Sequence, residues 1–222
     1  MDLVEESLRR DICAVSHRMY HQGFSPACGG NISARYGDNC FLITPSGVSK
    51  KDLQPEMIVK INDTCTVLEG EGKASSEAKV HLFCYRHRPD AMAVCHAHPP
   101  YAVSFSCLPE KLDKYFLPEQ IYYTGAIPTC SYALPGTEAV AESMSPFIAR
   151  HSALLLGNHG PVTIGTSVFD AFHKMETVEH YAKVLFITKL MGGARTFSPE
   201  ELQEIFDDIG GLDGVHPGYV TL

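Results

Sequence analysis

The chain has 222 residues, a formal net charge of -8, a hydrophobic fraction of 45% and a charged fraction of 20%. This length can bury one sizeable core, and the composition is that of an ordinary globular protein. The acidic balance, without any basic run, argues against a nucleic-acid-binding surface. We therefore expect a single domain over residues 1–222 and no nucleic-acid partner.

The sequence also indicates a cellular compartment. No run approaches the roughly 18 to 20 apolar residues of a membrane span, and the acidic N-terminal segment lacks the apolar core of a signal peptide. The eight cysteines are scattered, with no C-x-x-C pair. Such cysteines are typical of free thiols in a reducing compartment. We expect a cytoplasmic protein with no membrane partner.

The first half of the chain predicts one helix, four strands and a second helix. Apolar residues recur at helical spacing from Leu8 to Met19, which predicts an amphipathic helix. SPACGGNISARYGDNCFLITPSG predicts two strands with tight loops, and VKINDTCTVLEGEGK predicts a hairpin with an acidic, glycine-rich tip. SSEAKVHLFCYRHRPD predicts a helix that is capped by Ser75 or Ser76 and ends at its Arg-Pro pair.

The second half alternates short strands and helices. AMAVCHAH and SALLLGNHG predict buried strands, and QIYYTGAI predicts a further strand. TEAVAESMSPFIARH is helical in its first part, SVFDAFHKMETVEHYAKVLFITKL predicts a long helix, and SPEELQEIF predicts a short one. These elements predict a sheet covered by helices. Because many connections are too short for parallel crossovers, we expect the sheet to be largely antiparallel.

Histidines end two of the predicted buried strands. His96 and His98 are two residues apart, so on an extended strand their side chains point the same way. His159 follows the apolar run ALLLG in the same manner. Alone, each is more often a structural loop histidine, but two neighbouring strands could bring three imidazoles together. Three nitrogen ligands with an open position are the usual makeup of a catalytic zinc site, although imidazole also suits other metals.

Anion-binding features accompany the histidines. The Ser-Ser-Glu segment precedes a predicted helix, whose N-terminal N–H groups favour anions, although a plain helix cap is the common alternative. Glu77 is open to three roles there: carboxylate of the first helical turn, metal ligand or general base. The loops GGNIS and TPSG expose amides and hydroxyls that suit phosphate oxygens, although most such loops are turns. Neither matches a nucleotide-binding motif, and no G-x-S-x-G motif indicates a serine hydrolase.

In chain order, GGNIS, TPSG, SSE, HAHPP and NHG resemble the motifs of the class II aldolase/adducin family. The resemblance spans about residue 5 to about residue 190. It implies an α/β protein, a three-layer α/β/α sandwich around a mainly antiparallel sheet, assembled as a homotetramer with sites at subunit interfaces. It also implies an aldehyde-lyase that reversibly cleaves a ketose 1-phosphate into dihydroxyacetone phosphate and a small aldehyde. The implied cofactor is one Zn²⁺ per subunit, with Mn²⁺ or Co²⁺ as alternatives.

The resemblance implies a role for each motif. His96, His98 and His159 correspond to the metal ligands, and Glu77 corresponds to the proton-transfer residue, which can also contact the metal. The glycine-rich and serine motifs correspond to the phosphate ligands, here Gly30, Asn31, Ser46, Gly47, Ser75 and Ser76. In the C-terminal tail, Tyr219 resembles the family's aromatic residues that close over the site.

One expected residue is missing. In the fuculose-1-phosphate aldolase branch, a tyrosine ten residues before the Ile-Pro pair handles the hydroxyl proton, but this chain has Leu117 there. Nearby candidates for the second acid or base are Tyr115, Tyr122, Tyr123 and Glu119. The difference indicates an aldehyde other than that of fuculose 1-phosphate, such as that from a 5-deoxypentulose or methylthioribulose 1-phosphate.

Three alternatives remain: an L-ribulose-5-phosphate 4-epimerase, a decarboxylating relative and a noncatalytic adducin-like binding module. The epimerases tend to have SSD in place of SSE, and an aspartate before their Ile-Pro segment. This chain has Glu77 and Ile121 at those positions, which favours the aldolase. The intact histidines and Glu77 argue against a noncatalytic module.

Overall fold

Eight strands form one central sheet in the computed structural model, which describes residues 2–209. The strands are β1 (Asn31–Arg35), β2 (Cys40–Ile43), β3 (Val59–Asn62), β4 (Val67–Glu69), β5 (Ala93–His96), β6 (Thr129–Cys130), β7 (Ala153–Leu156) and β8 (Gly160–Gly165). Their order across the sheet is β4-β3-β2-β1-β5-β8-β7-β6. Only the β6–β7 pair is parallel, so the predicted largely antiparallel sheet is confirmed.

Seven α-helices and one 3-10 helix accompany the sheet in the described part of the chain. They are α1 (Leu3–His21), the 3-10 helix (Pro55–Met57), α2 (Ala78–His87), α3 (Pro100–Ser106), α4 (Pro118–Tyr123), α5 (Glu138–Ser143), α6 (Val168–Leu190) and α7 (Pro199–Asp208). The predictions of α1, α2, α5, α6 and α7 are confirmed. Among residues 2–209, no helix is both long and apolar enough to cross a membrane.

Helices cover both faces of the sheet. On β1, Ile32 and Ala34 belong to the apolar cluster that includes residues of α1 and α6, whereas Ser33 points to the opposite face and contacts α2. On β5, Val94 packs on the α2 and α5 side, and Cys95 packs on the α1 and α6 side. This two-residue alternation is the consequence of the strand pleat. The expected three-layer α/β/α arrangement is confirmed.

The strand register brings several polar residues to one end of the sheet. Asn31 at the start of β1 pairs with His96 at the end of β5, and His96 pairs with Val162 of β8. The β7–β8 turn, between Leu156 and Gly160, opens at the same end. Because adjacent strands lie about 4.8 Å apart, side chains from these three places are forced close together.

The predicted strand QIYYTGAI is wrong, because its first residues form α4. Pro118 occupies the first helical turn and Glu119 provides an acidic residue there, both of which favour a helix start. Ile121 is fully buried in a cluster with Leu202 of α7. The apolar side chain is therefore buried by a helix rather than by a neighbouring strand.

The predicted cap of α2 by Ser75 or Ser76 is also wrong. The helix begins at Ala78, and the N-cap residue is Glu77, whose side chain makes no capping hydrogen bond. The N–H of Ser75 donates to the carbonyl of Thr44, and the Ser75 hydroxyl accepts from the N–H of Glu77. Ser75 is thus paired with the segment at Thr44 and does not cap α2. The Glu77 carboxylate is not used for capping either, so it can contact other groups.

A buried ion-pair network fastens α1 to the sheet. Glu5 is only 1% exposed, and its carboxylate lies 2.6 Å from Arg9 and 2.8 Å from Lys60 of β3. Arg9 also donates to the carbonyls of Pro55 and Ile58. Burial opposes ionisation of Glu5, but the hydrogen bonds from Lys60 and Arg9 hold its pKa below the ordinary 4.5.

Removing this carboxylate should destabilise the protein. At pH 7 the substitution Glu5→Gln should lower the free energy of unfolding by about 3 kcal/mol, because it leaves buried cations without their partner. Because Glu5 has a lowered folded pKa, its contribution is complete above pH 4.5 and is lost as the pH falls through that pKa. Urea unfolding at several pH values and one protein concentration measures both effects.

The matched control is Glu6→Gln, which removes an exposed carboxylate paired with Arg10 on the same helix. This variant should lose less than about 0.5 kcal/mol at pH 7. Equal losses in the two variants would show that burial of the Glu5 network adds nothing to stability.

Candidate active site

The three predicted histidines form one cluster. His96 ends β5, His98 follows two residues later, and His159 lies in the turn between β7 and β8. One nitrogen from each ring lies within 4.8 Å of the other two, and the Nε2 atoms of His96 and His98 are 3.1 Å apart. The strand register therefore delivers three imidazole nitrogens to a single point.

Two glycines leave room for the ring of His98. A Cβ atom on Gly29 would lie 2.7 Å from Nδ1 of His98, which is closer than real Cβ contacts. A Cβ on Gly160 would lie 2.6 Å from the carbonyl oxygen of Ala97. Any larger residue at either position would displace the backbone or the ring. The first GG pair and the NHG turn thus have a steric role in addition to their loop geometry.

Hydrogen bonding and burial prepare the imidazoles for metal binding. Nδ1 of His96 lies 2.9 Å from the carbonyl of Pro161 and donates to it, which leaves the Nε2 lone pair facing the cluster. Burial, reinforced by His96, lowers the pKa of His98 to about 3 and that of His159 to about 4. Both rings are neutral near pH 7, as metal ligands must be.

Glu77 lies against this cluster. It is 9% exposed, with Oε2 3.4 Å from Nε2 of His96 and Oε1 3.3 Å from Nε2 of His159. Burial raises the pKa of this carboxyl, but His96 and a 2.7 Å hydrogen bond from the Asn31 amide outweigh burial and lower the pKa to about 2. Glu77 is therefore an ionised, buried carboxylate.

The donor set fits a divalent cation. Oε1 of Glu77 is buried and has no hydrogen-bond partner among the described residues. A buried anionic oxygen without a partner is costly, so it indicates a missing cation or proton. Three imidazole nitrogens and a carboxylate oxygen are common ligands of zinc and related metals. His96, His98, His159 and Glu77 can thus hold a metal ion.

The proposed phosphate loops lie side by side next to Glu77. Pro45 and Ala74 form an isolated β-bridge, and the N–H of Ser75 donates to the Thr44 carbonyl. This pairing joins the TPSG loop to the SSE segment. Three of the predicted phosphate ligands are exposed there: Ser46, Gly47 and Ser76. Gly30 and Asn31 lie at the start of β1, where the Asn31 side chain contacts Glu77.

Lys50 is a residue of this region that the motifs did not indicate. It is 1% exposed, and its ammonium donates to the carbonyls of Cys28, at 3.4 Å, and Val48, at 3.2 Å. The ammonium therefore lies between the GGNIS and TPSG loops. Burial lowers its pKa, and among residues 2–209 it forms no ion pair within 4.0 Å. The signal in the sequence was a lysine three residues after TPSG.

The second acid or base stays unassigned. Tyr115 lines a groove with Ile127 and His151, at the end of β6 opposite to the turn that carries His159. Tyr122 donates a hydrogen bond to Asp208 of α7. Tyr123 is exposed, Glu119 lies in the first turn of α4, and Tyr219 lies outside the described residues.

Comparison with known proteins identifies the family of this chain. The family model described as "Class II Aldolase and Adducin N-terminal domain" matches residues 10–186. A 3-oxo-tetronate 4-phosphate decarboxylase of Escherichia coli O6:H1 is 34% identical over 83% of this chain and 88% of its own length. A 5-deoxy-D-ribulose 1-phosphate aldolase of Bacillus thuringiensis serovar kurstaki is 31% identical over 89% of this chain and 92% of its own.

A solved structure shows the same fold. YgbL of Escherichia coli, described as a putative aldolase/epimerase/decarboxylase, superposes with a TM-score of 0.85 and 30% identity, over 91% of this chain and 99% of that one. The family match covers more than half of the chain, and the two relatives above are named as a decarboxylase and an aldolase of phosphorylated compounds. This chain belongs to the class II aldolase and adducin family.

Proposed function

We propose that this protein is a metal-dependent lyase that breaks the bond between the carbons alpha and beta to the ketone of a phosphorylated substrate and leaves dihydroxyacetone phosphate. The preferred reaction is aldol cleavage of a ketose 1-phosphate such as a 5-deoxypentulose 1-phosphate. The observation that carries the proposal is Oε1 of Glu77, which has no hydrogen-bond partner among residues 2–209 and lies against the three imidazoles. The homotetramer and the cytoplasmic location stay predictions.

Glu77 is the proposed proton-transfer residue. Cleavage leaves an enediolate whose terminal carbon must take up a proton. We propose that ionised Glu77 takes this proton from solvent water onto Oε1, while Oε2 is held by Asn31, and passes it to the carbon. His96, His98 and His159 would hold a divalent cation, for which we propose zinc, and this cation would supply Lewis acidity that favours negative charge on the substrate oxygens. General acid–base catalysis of this kind contributes about 10²- to 10⁴-fold.

The loops around Glu77 are the proposed phosphate site. Ser46, Gly47 and Ser76 are exposed on two segments that the Pro45–Ala74 bridge joins, and N–H and hydroxyl donors of this kind suit phosphate oxygens. The buried ammonium of Lys50 lies between the two glycine-rich loops and provides a positive charge for a dianion. The assignment of Gly30, Asn31 and Ser75 to the phosphate stays a prediction.

Decarboxylation is the second candidate, and Leu117 favours it. Aldol cleavage needs a second group to remove a hydroxyl proton, and the family's tyrosine is absent at that position. A 3-oxo acid loses CO₂ from a carboxylate that is already ionised, so this reaction needs no such base. Loss of CO₂ from a 3-oxo-tetronate 4-phosphate also leaves dihydroxyacetone phosphate, so the two reactions share Glu77 and the phosphate site.

One assay decides between these reactions. Metal-replete protein should release dihydroxyacetone phosphate from one of four substrates: 5-deoxyribulose, methylthioribulose or fuculose 1-phosphate, or 3-oxo-tetronate 4-phosphate. We expect release from a ketose 1-phosphate with an equimolar aldehyde and no CO₂, whereas equimolar CO₂ would establish the decarboxylase. Glu77→Gln should lower the rate at least about 100-fold. If no substrate yields dihydroxyacetone phosphate, the proposal is wrong.

Metal content tests the histidine cluster separately. His98→Ala should weaken zinc binding at least about tenfold, because it removes one of three nitrogen ligands. The measurement is zinc per chain by mass spectrometry after dialysis against a weak chelator. His173→Ala changes an exposed histidine of α6 and should retain wild-type zinc. Full zinc occupancy in the His98 variant would exclude this cluster as the metal site.

Adjacent lysines offer a matched test of the phosphate site. Lys50→Met should raise KM for the phosphorylated substrate about tenfold or more, because a close charge pair in a partly buried site contributes more than about 1.4 kcal/mol. Lys51→Met changes the exposed neighbour and should leave KM unchanged. Steady-state kinetics with both variants measures the change in KM. Equal KM values in the two variants would show that Lys50 does not bind the substrate.

A further inference from the structure

A continuous chain of buried hydrogen bonds leads from α2 to Glu77. The Tyr85 hydroxyl lies 2.7 Å from Oγ of Ser33, which lies 2.6 Å from Nδ1 of His81. Nε2 of His81 lies 2.6 Å from Oδ1 of Asn31, and the amide nitrogen of Asn31 lies 2.7 Å from Oε2 of Glu77. The roles proposed above use only the last two members.

The carboxylate at the end of this chain determines the direction of every bond. The amide nitrogen of Asn31 donates to Oε2 of Glu77, so the amide oxygen faces His81. Nε2 of His81 therefore carries the hydrogen, and Nδ1 accepts from the Ser33 hydroxyl. Ser33 in turn accepts from the hydroxyl of Tyr85. Donation runs from Tyr85 to Glu77 without a break, an arrangement in which each bond polarises the next.

Burial supports this assignment. Ser33 is 0% exposed, His81 1%, and Asn31 and Tyr85 4% each. Burial, followed by the influence of His96, lowers the pKa of His81 to about 3, so the ring is neutral near pH 7. A neutral imidazole has one donor and one acceptor nitrogen, as this series of hydrogen bonds requires.

We propose that His81 is a positioning residue, which locks the Asn31 amide so that Oε2 of Glu77 is held and Oε1 alone carries the transferred proton. This rests on the proposed function of Glu77. Without the Nε2–H donor, the Asn31 amide can rotate by half a turn and bring its oxygen against the carboxylate. Glu77 then loses both its hydrogen bond and its fixed orientation. His81 lies four residues after Glu77, so both side chains lie on the same face of α2.

The test isolates proton transfer from bond cleavage. Wild-type holoenzyme in D₂O should exchange a carbon-bound hydrogen of dihydroxyacetone phosphate for deuterium, which proton NMR follows. His81→Leu should slow this exchange about 10- to 100-fold, with half-saturation by dihydroxyacetone phosphate and zinc content changed less than about threefold. His81→Gln should recover most of the rate, because its side-chain amide can donate to Asn31.

Two further variants complete the design. His151→Leu removes another buried histidine, whose Nδ1 lies 2.9 Å from the Phe147 carbonyl, and should exchange at the wild-type rate. Ser33→Ala removes the donor to Nδ1 with little change of volume. It should slow exchange about three- to tenfold and decides the matter if the leucine variant does not fold.

Each outcome has a definite meaning. Wild-type rates in both His81→Leu and Ser33→Ala, or a glutamine variant as slow as the leucine variant, would overturn the role of His81 while the proposed function stands. If His151→Leu slows exchange as much as His81→Leu does, the slowing comes from general destabilisation. That result would also overturn the role of His81. If the wild-type enzyme itself shows no exchange, the proposed function of Glu77 fails and the role of His81 with it.

Discussion

The register of three antiparallel strands is the constraint on which the site depends. Asn31 of β1, His96 of β5 and Val162 of β8 are directly paired, so the end of one strand and the starts of two others meet. A slip of one residue in β5 would turn His96 to the opposite face of the sheet, among the apolar residues of α1 and α6. Metal binding therefore requires the correct strand pairing, whatever the affinity of the individual ligands.

The same register places Glu77 between the Asn31 amide on one side and the histidine cluster on the other. Its Oε2 is held from β1 through Asn31, whereas Oε1 faces the histidines and has no hydrogen bond within the described part of the chain. Buried polar groups usually stabilise a fold only when all of them are satisfied. Four of the five side chains in the hydrogen-bond series from Tyr85 to Glu77 are satisfied. The fifth, Glu77, has its unsatisfied oxygen where a cation or proton is required. The energetic cost of that orphaned oxygen is thus localised at the proposed reaction centre.

Much of this arrangement was predictable from local patterns. The two-residue spacing of His96 and His98, the apolar runs before the histidines and the glycine-rich loops indicated the cluster, and the helices with strong periodicity were found. α4 was predicted as a strand because its burial depends on contact with α7, about 80 residues later, which a local pattern does not contain. Lys50 and His81 were not singled out, since their partners come from other segments, up to 50 residues away.

A crystal structure with zinc and dihydroxyacetone phosphate, with data collected at the zinc absorption edge, tests the central claim most directly. The account predicts one anomalous peak among His96, His98 and His159, and a phosphate group between the TPSG loop and the SSE segment. It also predicts that Oε1 of Glu77 lies within hydrogen-bonding distance of the substrate or next to the zinc ion. An anomalous peak at another site, or a phosphate bound away from these loops, would contradict it.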